Sequence, residues 1–217
     1  MIERNRLETE ALHLALDTVA EAGRFVRSIR AELTEEDIVV KGDGSPVTVA
    51  DLAAECIIVL ELTRSDCVPS LPICGEEGPE LLEDPELKHL GGRVHQLVSS
   101  VKPHVSKADI TDLLGRGSFR PEPGSRSTHW VCDPIDGTKR YISGHRFSTC
   151  LGLVVDGELR AGAIACPDMG GREDDPFDRT DAAGSLFGAS ADKGTFRIDS
   201  LADGGSGQRH LLHVTEM

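Results

Sequence analysis

The sequence predicts an α+β fold. Helical periodicity fills the first half of its 217 residues, and strands joined by tight turns fill the second. The two kinds of element do not alternate as a βαβ chain would.

Residues 7–33 carry the first helix. Leu12, Ala15, Leu16, Val19, Ala22, Val26, Ile29 and Leu33 recur at three- and four-residue steps, with Glu, Asp and Arg between them. Residues 37–41 form a short strand and Gly42-Asp43-Gly44 a tight turn. Thr48-x-x-Asp51 has capping-box form and opens a second helix over residues 49–62. Residues 71–74 are a short apolar run ending in Gly75-Glu76-Glu77-Gly78. Residues 80–116 read as helical and polar, with breaks at Gly91-Gly92 and near Pro103, and residues 117–128 as loop. Residues 130–132 make a strand that runs into Asp133. Residues 147–155 and 158–166 make two more, joined by the hairpin signal Asp156-Gly157. Residues 169–183 are an acidic loop, and a second hairpin surrounds Asp192-Lys193-Gly194.

Acidic residues number 37 against 23 Lys and Arg, a formal net charge of −14. That excludes a nucleic-acid polymer gripped by bulk positive charge. A small anionic substrate stays open, because a bound metal can invert a local field. No apolar run reaches the roughly 18 residues of a membrane span. The six cysteines, Cys56, Cys67, Cys74, Cys132, Cys150 and Cys166, form no C-x-x-C pair, and buried free thiols are expected. The N-terminus shows no secretory apolar segment and no acid-poor transit segment, so the cytoplasm is the expected location, with an organelle still open.

The informative string is Asp133-Pro134-Ile135-Asp136-Gly137-Thr138, after an apolar strand. Two carboxylates flank a proline that fixes φ, and the Ile135 carbonyl can face the same point. Hard oxygen donors of this kind suit Mg²⁺. Gly137-Thr138 would begin a helical turn whose amides face an anion. Asp133 and Asp136 also read as turn and capping residues, Glu76-Glu77 as a solvated acidic loop, and Asp51 as a helix cap. Lys139 and Arg140 read equally as contacts to a second phosphate or as a solvated pair. His129 and His145 have no partner at metal spacing and read as structural or surface residues. Asp174, Asp175 and Asp178 lack the EF-hand pattern.

Asp133 to Thr138 with the preceding Trp130, Gly75-Glu76-Glu77, and the stretch from Lys41 through Gly44-Ser45-Pro46-Val47-Thr48-Val49-Ala50-Asp51 together resemble the inositol monophosphatase superfamily. Within it the chain looks most like the 3′(2′),5′-bisphosphate nucleotidases. The long interval from Glu76 to Asp133 and the ending Gly162 to Cys166-Pro167 are similar to theirs. The resemblance implies two long helices packed on an antiparallel sheet and a lithium-sensitive, Mg²⁺-dependent phosphatase. Glu76, Asp133 and the Ile135 carbonyl would hold one metal, and Asp133 and Asp136 would contribute to a second. Asp51 and Thr138 would activate water, the Gly137 and Thr138 amides would hold phosphate, and Glu77 would act through a water molecule. The implied reaction takes adenosine 3′,5′-bisphosphate, a by-product of sulfur assimilation, to AMP and phosphate. An inositol (poly)phosphate 1-phosphatase shares every metal residue named. A catalytically dead fragment that binds nucleotide or metal is the rival from another class.

The family has a second, C-terminal α/β domain with a Trp-Asp motif completing the second metal site. Trp130 is the only tryptophan here, and no Trp-Asp pair exists. Residues 211–217 look similar to that domain's first strand. The expectation is therefore an N-terminal phosphatase domain over residues 1–205, a truncated start of the next domain over 206–217, weak or absent activity, and an open apolar sheet face.

Overall fold

The structure, a computed structural model, describes residues 2–66, 68, 70–85, 87–170, 183–191 and 193–212. Cys67, Asp174, Asp175, Asp178, Asp192 and residues 213–217, all named above, lie outside them.

The first apolar series lies along one side of helix α1 (Ile2–Ile29), and Leu12, Leu16, Val19, Val26 and Ile29 are all buried. The helix starts before residue 7 and ends before residue 33, because the chain tightens into a 3₁₀ turn over Arg30–Glu32 and Leu33 is extended. Strands β1 (Ile38–Val40) and β2 (Pro46–Thr48) form a separate antiparallel hairpin that leads into helix α2 (Val49–Arg64). α2 is buried on nearly all sides, between α1, the sheet, and the later helices α4 (Lys88–Val101) and α5 (Lys107–Arg116).

The main sheet has seven strands in chain order: β3 (Ile73–Cys74), β4 (Thr128–Asp136), β5 (Ser148–Val155), β6 (Glu158–Cys166), β7 (Ser185–Ser190), β8 (Gly194–Ile198) and β9 (Arg209–Leu212). It is antiparallel from β4 to β9, but β3 runs parallel to β4, so the sheet is mixed rather than wholly antiparallel. The reason is the connection. α3 (Glu80–Glu83), α4 and α5 lie between β3 and β4, and parallel neighbours need such a crossover. Residues from 206 onward, set apart in the sequence reading, contribute β9 to the edge of this sheet.

Gly91-Gly92 does not break α4. Leu90, Val94, Leu97 and Val98 are buried, and that packing outweighs about 1 kcal/mol of propensity per glycine. The break near Pro103 holds, since α4 ends at Val101. Asp156 and Gly157 both take positive φ, 55° and 84°, as a two-residue hairpin requires.

α1 and α2 cover one face of the sheet, with Trp130, Leu151, Leu153 and Ala163 buried. The other face is open. Val131, Leu159 and Ile164 are exposed, and a groove of about 590 Å³ crosses it and reaches Asp133. The described cysteines Cys56, Cys74, Cys132, Cys150 and Cys166 are free thiols. Among the described residues no helix is long and apolar enough to cross a membrane.

Candidate functional site

The start of α2 is a reciprocal cap. Thr48 Oγ1 accepts from Ala50 N at 3.1 Å and from Asp51 N at 3.4 Å. Asp51 Oδ2 accepts in return from Thr48 N at 2.8 Å and Thr48 Oγ1 at 2.7 Å. The box occupies one carboxylate oxygen and leaves Oδ1 for another partner. That partner is Thr138, whose hydroxyl donates to Asp51 Oδ1 at 3.2 Å and also stands 3.1 Å from the Ile135 carbonyl. Its single proton serves one acceptor at a time. The cap and the contact to Thr138 are thus made by the same carboxylate. Burial pushes Asp51 from its ordinary 3.8 up to about 7, against the Thr48 and Thr138 hydrogen bonds, and the Glu77 charge pushes the same way.

Strand β4 brings the second pair of acids. The sequence reading ends this strand near Cys132, but it continues to Asp136 and contains both carboxylates. Pro134 has no N–H to give the ladder, and pairing with β5 skips from Asp133–Cys150 to Asp136–Ser148. Thr149 Oγ1 donates to the Pro134 carbonyl at 2.8 Å and holds this irregularity in place. Asp133 ends half-buried. Asp136 is exposed and accepts from Ser148 Oγ at 3.2 Å. Gly137 follows in the left-handed region, φ 93°, and caps the short helix α6 (Thr138–Ile142), as the helical turn expected there requires.

The third contribution is the Gly75–Gly78 turn after β3. Its Glu76 carboxyl is within hydrogen-bonding reach of Asp133. Burial, then Glu76, then the charges of Asp136 and Asp51 push the Asp133 carboxyl well above the usual carboxylate range. Asp133 Oδ1 is buried with no hydrogen-bond partner. Glu77 is buried, and its Oε1 accepts from Lys41 Nζ at 2.7 Å. Burial works against the Lys41 ammonium, yet Glu77, Glu76 and Asp51 hold it above the usual lysine range.

Of the residues singled out in the sequence, the structure brings Glu76 to Asp133, and Thr138 to Asp51 and the Ile135 carbonyl. Asp136 borders Asp133 from the solvent side. Among the described residues, however, no three His, Cys, Asp or Glu side chains are closed into a metal-holding group. His129 is buried, within hydrogen-bonding distance of Ser127 Oγ and packed on Phe119, and His145 is exposed. Lys139 and Arg140 are exposed on α6.

Sequence reasoning misses one contact and one participant. Lys41 stands in the motif stretch, but it carries no spacing signal for its bond to Glu77. Glu55 carries a weak one, standing four residues after Asp51 and hence on the same side of α2.

Residues 8–208 match the inositol monophosphatase family. A putative mitochondrial 3′(2′),5′-bisphosphate nucleotidase of Arabidopsis thaliana is 33% identical over 76% of this chain and 43% of its own length. A 3′(2′),5′-bisphosphate nucleotidase of Emericella nidulans is 32% identical over 72% of this chain and 44% of its own. The solved structure of Mycobacterium tuberculosis SuhB superposes with a TM-score of 0.54 at 25% identity, over 97% of this chain and 54% of that one. The chain spans about half the length of the curated relatives it matches. A family match that takes in both the Gly75–Gly78 turn and the end of β4 leaves one conclusion: the chain belongs to the inositol monophosphatase family.

Proposed function

We propose that this chain carries the catalytic unit, residues 1–205, of a Mg²⁺-dependent phosphomonoesterase. Its substrate is adenosine 3′,5′-bisphosphate, and its products are AMP and phosphate. The observation that carries this reading is the Asp51–Thr138 hydrogen bond standing beside the Glu76–Asp133 carboxyl pair. The names of the relatives supply the substrate class.

The residues fit a divalent cation. Asp133 Oδ1 is a buried acceptor without a donor, and Glu76 and Asp133 repel unless a proton or a cation stands between them. Glu76, Asp133, Asp136 and the Ile135 carbonyl are the hard oxygen donors that would hold it. When bound, Mg²⁺ supplies Lewis-acid neutralisation of the phosphate oxygens and of the leaving alkoxide.

The chain's own residues do the rest. Asp51 Oδ1 accepts the hydrogen bond of the Thr138 hydroxyl, which turns the Thr138 lone pair outward, where it accepts from the attacking water. The water's proton passes through Thr138 Oγ1 to Asp51 as the bond to phosphorus forms and the ester oxygen leaves. In the metal-free chain burial raises this carboxyl to about 7, which makes it a stronger base than an ordinary aspartate. The Gly137 and Thr138 amides, at the start of α6, face the phosphate. Glu77, held by Lys41, lies behind Glu76 and acts through water.

Phosphate release by the purified chain from adenosine 3′,5′-bisphosphate and from inositol 1-phosphate, with and without Mg²⁺, tests the reading. Slow Mg²⁺-dependent release from the nucleotide, in keeping with the weak activity read from the sequence and lost in Asp51→Asn, is expected. Faster release from the inositol ester would replace the substrate with an inositol phosphate. No release from either would refute catalysis by this chain.

A further inference from the structure

Glu55 is an acid in the wrong place for a surface role. It lies one turn beyond Asp51 in α2, with 0% of its surface exposed. Its Oε2 accepts from the Glu77 backbone N–H at 2.8 Å, while its Oε1 is buried without a hydrogen-bond partner. The carboxylate lies between two glycines on different elements. A Cβ on Gly75 would fall 2.2 Å from Glu55 Oε1, and a Cβ on Gly117 would fall 2.5 Å from it. These two glycines are themselves joined, Gly75 N donating to Gly117 O at 2.7 Å. The slot admits a carboxylate only because neither residue has a side chain. Arg120, just past Gly117, favours the charged form from across the turn.

Burying an acid with one oxygen unsatisfied costs stability, and an apolar side chain would fill the interior of α2 at less cost. What Glu55 does in return is hold one peptide, the one between Glu76 and Glu77. That peptide joins the carboxyl that meets Asp133 to the carboxyl that meets Lys41. Its N–H direction therefore sets where both side chains go.

We propose that Glu55 is a positioning residue: seated in the Gly75–Gly117 slot, it holds the Glu76–Glu77 peptide so that Glu76 faces Asp133. The link to catalysis rests on the functional reading above, which takes Glu76 and Asp133 as cation ligands. The link to the turn does not.

Two measurements separate these. The first is amide hydrogen exchange at residues 75–77 in metal-free protein. The second is Mn²⁺ affinity, read by calorimetry or by the loss of the free-ion paramagnetic signal. Glu55→Ala is expected to speed exchange at the turn and to weaken Mn²⁺ binding about 10–100-fold, the usual effect of removing a support behind a ligand. Glu55→Gln keeps an acceptor for the Glu77 N–H and is expected to stay near wild type in both. Gly117→Ala leaves Glu55 and every proposed ligand intact. Its φ of −76° suits alanine, yet the new Cβ takes the carboxylate's place, so it is expected to behave as Glu55→Ala.

A lower melting temperature in Glu55→Ala with unchanged exchange at the turn would overturn the proposal. So would a Glu55→Gln variant as damaged as Glu55→Ala, since charge rather than placement would then matter. A wild-type chain that binds no Mn²⁺ would defeat the phosphatase reading, and the exchange comparison would still decide for or against Glu55.

Discussion

Asp51→Asn should stabilise the metal-free chain while abolishing the phosphatase activity proposed above. The magnitude follows from the buried carboxyl. Asp51 is 1% exposed, and its pKa rises from 3.8 to about 7. Between those values the folded chain keeps a proton that the unfolded chain has lost, so stability falls as the pH rises through that window. Above it the whole cost is present. At about 1.36 kcal/mol per pH unit, the gap amounts to about 4 kcal/mol. Asparagine has no charge to bury, and its amide oxygen can still accept from the Thr48 N–H and hydroxyl. The variant should therefore equal wild type near pH 4 and exceed it by about 4 kcal/mol near pH 8.5. For a chain of this size that is a melting point about 8–16 °C higher. Urea or thermal unfolding in EDTA at both pH values measures it, with phosphate release in Mg²⁺ run beside it. The reasoning fails if the variant is no more stable at high pH, or if its advantage does not change with pH.

If the proposed relay operates, Thr138→Ala should lower turnover about 10²–10⁴-fold by removing the hydroxyl proposed to hand the water proton to Asp51, and Thr138→Ser should restore most of it. Tyr141→Phe removes the 2.9 Å bond from the buried phenol to the Val26 carbonyl, one of the last carbonyls of α1. It should cost about 0.5–1.5 kcal/mol in urea unfolding, the net worth of one buried hydrogen bond. Asp168→Ala should cost about 3–5 kcal/mol in the same assay. It leaves Arg27 and Arg30 without the buried carboxylate they meet at 3.3 and 2.9 Å.

What the sequence reveals and what it conceals divides along a physical line. α1, α2 and the β5–β6 hairpin are visible because their signals are local: a 3.6-residue apolar step, a reciprocal cap, an Asp-Gly pair. The parallel β3–β4 pairing is not local, because it depends on a crossover across α3 to α5. The end of β4 reads as Cys132 in the sequence because a proline normally argues against a strand interior. Here Pro134 sits where the ladder slips, and the slip keeps Asp133 and Asp136 in one strand while leaving one half-buried and the other exposed. Glu55 escapes notice because an acid in an apolar helix reads as solvated until the facing chain is known. What faces it is two glycines more than 40 residues apart in sequence.

The two buried acids of α2 explain each other. A helix so apolar needs no charge for packing, and Asp51 and Glu55 each cost stability when ionised. Each compensates locally: Asp51 through the Thr48 cap, at the positive end of the helix dipole, and Glu55 through the Glu77 amide and Arg120. Neither compensation is complete, since burial still raises both carboxyls, Asp51 to about 7 and Glu55 to about 8. Their contacts leave α2 in two directions. Asp51 reaches Thr138 at the start of α6, and Glu55 reaches the turn that carries Glu76. One rigid helix therefore fixes the distance between the group that would take a proton and the carboxyl pair that would take a cation. A flexible loop could hold either, but it could not hold both in register. That common ruler is the reason to tolerate two unfavourable charges inside the core.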